Sequence, residues 1–144
     1  MVVYADSSFL VSLFVEDANS GSARHHLIRN PEPVLFTSFS KSETQHAIRT
    51  LAFQKDIAFG EMTRALLQFE QDEAEGFFRS VALEGDALFE KAGQLSHRHA
   101  LEFGVRYLDT LHVASALLAN ARRFLTFDVR QRKLARVVGL DVKI

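Results

Sequence analysis

Short apolar runs alternate along this chain with longer stretches in which apolar residues recur every three or four positions. That alternation constrains the fold most, because strands connected through helices pair in parallel and are covered on both faces. The runs are "VVYA" at 2–5, "VLFT" at 34–37, "FFRSVAL" at 77–83, "RFLTF" at 123–127 and "LDVKI" after Gly139. Helical spacing predicts helices from Ser8 to about Glu16, from Asn19 or Ser20 to about Arg29, and from about Phe39 to Gln54. A fourth follows Gly60 with Met62, Ala65, Leu66 and Phe69 on one face, and others cover Leu88 to Ala100, Leu108 to Ala121 and 129–138. Pro31 and Pro33, the only prolines, bracket the turn into the second strand. The pattern predicts an α/β fold: a three-layer α/β/α sandwich around a mainly parallel five-stranded sheet. No linker, repeat or low-complexity tract divides the sequence, so residues 1–144 are expected to form a single domain.

The net charge of -1 gives no overall attraction for nucleic acid, so phosphate binding has to come from local patches or bound cations. The lack of cysteine excludes disulfides and thiolate metal sites and fits a reducing cytoplasm. The N-terminus has neither the basic region nor the small-residue site of a signal peptide. No apolar stretch approaches the ~20 residues that span a bilayer. Thirteen Phe and no Trp predict a core filled largely by phenyl rings, with Phe9, Leu10, Leu13 and Phe14 in that core or at a dimer seam.

In parallel α/β folds ligands bind beyond the carboxyl ends of the strands, and four carboxylates are expected there. Asp6 ends the first strand and Asp128 the fourth; each precedes a helix, where aspartate is also a favoured cap. Glu43 lies one turn before Ala47 and extends the Ala47–Ile48–Leu51 face toward the start of its helix. Its alternative is a capping box, Ser40 to Glu43, although Thr37 or Ser38 serves equally well as the cap. Asp109 lies in the first turn of its helix, where a negative charge also suits the helix dipole. Four carboxylates cannot converge without cations, and an oxygen-only set favours Mg²⁺ or Mn²⁺ over zinc.

Other chemistries find no support. His25-His26 and His97-x-His99 lack the four-residue spacing that places two imidazoles on one helix face. His112, one turn from Asp109, is expected to pack or hydrogen-bond rather than bind metal. No glycine-rich dinucleotide or P-loop motif is present. An aspartyl phosphatase wants a second Asp two residues after Asp6, where Ser8 stands, and a phosphoacceptor domain wants an Asp ending the third strand.

In their order and placement, "VVYADSSFLVSLF", "SETQHAI", "RYLDTLHVASAL" and "FLTFDVRQRKLARVVGLDVKI" resemble the motifs of the PIN domain, and more narrowly the VapC-type toxin ribonucleases of bacterial toxin–antitoxin pairs. The resemblance spans essentially the whole chain. It implies an endoribonuclease using one or two Mg²⁺ or Mn²⁺ ions per site, with the acidic quartet on Asp6, Glu43, Asp109 and Asp128; Asp6 and Asp109 are the expected direct ligands, and Glu43 and Asp128 bind directly, through water, or position the nucleophile. Ser7 and Thr126 fit supporting positions in the family pattern. In-line attack by water would leave a 5′-phosphate and a 3′-hydroxyl. The basic residues Lys41, Arg106, Arg130 and Arg132 suit RNA phosphates. The family also implies a homodimer and an antitoxin that supplies the DNA binding this chain lacks. The competing expectation is a PIN-like module that binds RNA or protein with weak cleavage or none.

Overall fold

The first strand, β1 (Val3–Ala5), is buried at every position, as expected of a strand with neighbours on both edges and helices on both faces. In the computed structural model, which describes residues 1–144, β1 is followed by α1 (Ser7–Phe14), α2 (Ser20–Arg29), β2 (Val34–Phe36), α3 (Ser38–Phe53) and α4 (Phe59–Ala74). The chain continues through β3 (Phe78–Ser80), α5 (Gly85–Phe103), α6 (Tyr107–Leu118), β4 (Arg123–Leu125) and α7 (Val129–Val137). All strand pairs are parallel and the order is β3-β2-β1-β4. No helix is long and apolar enough to cross a membrane.

Alternation along β1 and β4 divides the core between the two faces. Tyr4 and Phe124 stack at 5.9 Å within a cluster formed with α5, α6 and α7. Val3, Ala5 and Leu125 point the other way, toward Phe9 and Leu10 of α1, Ala23 of α2 and Phe69 of α4. Phe69 is the hub of that side, with Phe14 at 4.9 Å, Phe36 at 5.6 Å and Phe78 at 6.2 Å between ring centroids. Phe9 and Leu10 are therefore core residues. Phenyl rings do not all go inside, however: Phe53, Phe59, Phe77 and Phe89 are exposed.

The sandwich has four strands rather than five. Segment 140–144 adds only a single bridge, Arg123 to Asp141. Asp141 donates its amide to the Arg122 carbonyl and accepts from the Phe124 amide. The amide of Lys143, which would form the next rung, donates instead to Asp141 Oδ1 at 3.1 Å. The aspartate turn takes the donor that a strand needs, an effect of short polar side chains that apolar patterning does not register. Helix starts also move: α5 begins at Gly85, where the Glu84 carboxylate caps the amides of Asp86 and Ala87. It ends at Gly104, whose φ of 61° is the left-handed conformation glycine adopts freely.

His26 of α2 is buried with Nε2 unpartnered. Burial, reinforced by the nearby Arg123 charge, lowers its pKa against the opposing pull of Asp141 and Glu32. The folded chain thus resists a proton that the unfolded chain accepts below about pH 6.5. Stability is expected to fall as the pH drops from 7 to 5. Thermal melts of a His26→Met variant should show a shallower pH slope over that window; an identical slope would refute the assignment.

Candidate active site

The sheet order reverses between β1 and β4, so a crevice opens at their carboxyl ends. The amide of Asp6 donates to the Leu125 carbonyl at 3.1 Å, which locks the exits of the two strands together. Above them lies a cleft of about 570 Å³ whose lining includes Glu43, Asp109 and Asp128. Ser7 and Ser8 line it, and Asp6 lies buried next to them.

Each carboxylate has its own restraints. Asp6 caps α1 by accepting from the Phe9 amide at 3.0 Å. It also accepts from the Ser8 hydroxyl and, at 2.7 Å, from the Thr126 hydroxyl. Thr126 in turn accepts the amide of Asp128 at 2.9 Å, so one hydroxyl joins two acids. Asp128 caps α7 through the Gln131 amide. Asp109, also buried, reaches back to the Arg106 amide at 2.8 Å and accepts from Gln131 Nε2 at 3.2 Å. The capping readings of Asp6 and Asp128 are realised, and the cleft geometry is built on top of them.

Glu43 does not belong to a capping box. Thr37 caps α3 with Ser40 as its reciprocal partner, which leaves Glu43 free to face the cleft. There it accepts from Ser7 and pairs with His112 Nε2 at 2.7 Å. An ionised carboxylate can only accept, so the proton in that contact belongs to the imidazole. Burial pushes the Glu43 pKa up, but the His112 and Ser7 hydrogen bonds and the His112 and Arg106 charges outweigh it, and the net shift is downward. Asp6 goes the other way: full burial raises its pKa against the pull of His112 and its hydroxyl and amide donors.

Of the basic residues expected at the mouth, only Arg106 lines the cleft. Its guanidinium lies 3.5 Å from Asp109 and 3.4 Å from Asp128. Lys41 is paired with Glu73 of α4, Arg132 donates to the Thr126 carbonyl at 3.0 Å, and Arg130 is exposed on α7. Sequence reasoning missed Gln131, the link between Asp128 and Asp109. Its position three residues after a capping aspartate was the available signal. It also missed Asp17, which lines the cleft while accepting from Ser12 and the Asn19 amide.

The chain matches the PIN domain family over residues 3–137. It belongs to that family. Among solved structures, the Mycobacterium tuberculosis toxin VapC20, described as cleaving the sarcin–ricin loop, is similar with a TM-score of 0.71 and 19% identity over 99% of both chains. PAE2754 from Pyrobaculum aerophilum is similar with a TM-score of 0.63 and 16% identity over 96% of this chain and 87% of that one. No curated protein matches. These likenesses carry the PIN fold across the described residues, VapC20's included.

The donor set of this PIN domain suits a hard divalent cation. The acids facing the cleft are oxygen donors, and the cation between Asp109 and Asp128 is a guanidinium whose side chain is 63% exposed. Gln131 Oε1, an acceptor in the same shell, is buried without a partner. No three acidic or imidazole groups already form a closed ligand cage. Each carboxylate is instead held by its own amide, hydroxyl or imidazole partner.

Asp6→Asn removes a buried charge while keeping the shape of the site, and the Thr126 hydroxyl can rotate to accept from the new amide. Its melting temperature is expected to rise by ~2–5 °C. A fall on thermal denaturation would show that the hydrogen bonds to the carboxylate outweigh its desolvation.

Proposed function

We propose that residues 1–144 act as one PIN-like domain that hydrolyses RNA phosphodiester bonds with Mg²⁺ or Mn²⁺, as the cytoplasmic toxin of a toxin–antitoxin pair. The observation that carries this reading is the convergence of Glu43, Asp109 and Asp128 on one cleft, with Asp6 beneath it, at the switch point of a PIN sheet. PIN domains are in general nucleases that use divalent metals, and the similar VapC20 is described as a toxin that cleaves the sarcin–ricin loop. An antitoxin partner and a homodimer belong to the same reading, and specific DNA contacts would be the antitoxin's.

Asp109, Asp128 and Glu43 are the residues that would hold the cation, one or two ions per site, with Asp6 contributing from below. Such a cation supplies positive charge to the scissile phosphate and acidifies water. Glu43, held ionised by His112 and Ser7, is a weak base, so its role is charge and orientation. Gln131 and Thr126 fix the spacing of Asp6, Asp109 and Asp128. Arg106 exchanges its carboxylate contacts for a phosphate oxygen. The water oxygen would bond to phosphorus as the bond to the ribose 3′-oxygen opposite it breaks; the attacking water would release a proton to solvent and the 3′-oxygen would take one from solvent, giving a 5′-phosphate and a 3′-hydroxyl.

The second reading, a PIN-like binding module with little or no cleavage, draws on the absence of a closed ligand cage. Cleavage of a panel of structured RNAs separates the two. Activity should vanish with EDTA, return with Mg²⁺ or Mn²⁺, and fall at least ~10²-fold in Asp109→Asn. RNA binding without cleavage at any metal concentration would establish the module instead.

A further inference from the structure

The net charge of -1 conceals a strong separation of charge. Helix α4 carries Glu61, Glu70, Asp72 and Glu73 against Arg64, whereas α7 carries Arg130, Arg132, Lys133 and Arg136 and no acid. Arg130, Lys133 and Arg136 recur at three-residue spacing, are exposed, and form no ion pair. This row starts two residues after Asp128 at the cleft and runs ~9 Å along α7. At its far end Val137 and Val138 form one wall of a groove against α5 and α6. Leu95 and Leu117 also line that groove, Lys91 and Arg98 flank it without acidic partners, and no Asp or Glu is among its lining residues. His99 and Gln94 add polar groups there, and His99 Nδ1 is buried with no hydrogen-bond partner.

We propose that the outer face of α7 and the α5–α7 groove form an RNA exosite. Phosphates would follow Arg130, Lys133 and Arg136 away from the cleft, and a nucleotide would seat in the groove with its base on the apolar wall and its phosphate at Lys91 and Arg98. Stacking or apolar contact with a base, combined with charge on the backbone, is how single strands are held without demanding a sequence. The exosite rests on the nuclease reading for the direction of the strand, but its residues lie outside the cleft.

Two double variants, Lys133→Gln/Arg136→Gln and Lys91→Gln/Arg98→Gln, test it against single-stranded RNAs of about 20 and about 5 nucleotides. Binding is measured in EDTA by fluorescence anisotropy over a salt series, and cleavage separately with Mg²⁺. Each double variant should weaken the long RNA about ten-fold and reduce its log–log salt slope by about 1.4, while leaving cleavage of the short RNA unchanged. Unchanged long-RNA affinity and slope in a protein that cleaves RNA would overturn the exosite and leave the nuclease reading standing. Loss of affinity in a protein that never cleaves would keep the exosite and remove the nuclease. Weakened binding to anionic vesicles with RNA affinity untouched would also overturn it. Matched melting temperatures exclude misfolding as the cause.

Discussion

Asp6 sits at the end of the central strand with no exposed surface, and an ionised carboxylate there is tolerable only while donors surround it. Those donors come from two parts of the chain: the Ser8 hydroxyl and Phe9 amide at the start of α1, and Thr126 just past β4. The need to satisfy one acid therefore fixes how the two strands exit the sheet. Thr126 passes the restraint on to the Asp128 amide, Asp128 to the Gln131 amide, and Gln131 to Asp109. Displacing one member leaves the next with an unpaired buried group, so the cleft behaves as a connected network.

The same hydrogen bonds explain how acids accumulate at one edge without pushing it open. Asp6 and Asp128 cap α1 and α7, and Asp109 occupies the first turn of α6. Each sits where backbone amides and the helix dipole offer partial positive charge. Three helix N-termini thus meet three aspartates, and His112 with Ser7 serves Glu43 on the remaining side. In Asp128 a capping role and a cleft-facing role coexist, because Oδ1 takes the Gln131 amide while Oδ2 meets the Arg106 guanidinium.

This compatibility decides what the sequence could disclose. The alternation of apolar runs locates all four strands and seven helices, because burial on both faces leaves a pattern that local polarity does not disturb. The fifth strand failed through Asp141, whose side chain takes the Lys143 amide; hydropathy contains no term for that competition. The positions of Asp6 and Asp128 follow from strand ends alone. Glu43 required choosing between a box at Ser40 and one at Thr37, and the Thr37 hydroxyl settles the matter. Gln131 and the His112–Glu43 pair depend on contacts 22 and 69 residues apart, which one sequence without covariation cannot display. The basic residues fared worst because a long side chain's partner is set by its tertiary neighbours: Lys41 finds Glu73, and Arg132 finds a carbonyl.

Charge placement links these observations to the chemistry. A cleft lined by Glu43, Asp109 and Asp128 repels a phosphodiester, and the exposed Arg106 is the only cationic side chain lining it. On the proposed nuclease reading, attraction would have to come from cations held among the acids and from basic surface nearby. Helix α7 supplies such a surface, since Asp128 caps the helix on which Arg130, Lys133 and Arg136 are displayed. The acid that helps shape the cleft thereby also sets where the basic row begins. Helix α4, with its excess of acids, packs on the other face of the sheet, where it would disfavour the RNA of the proposed reading.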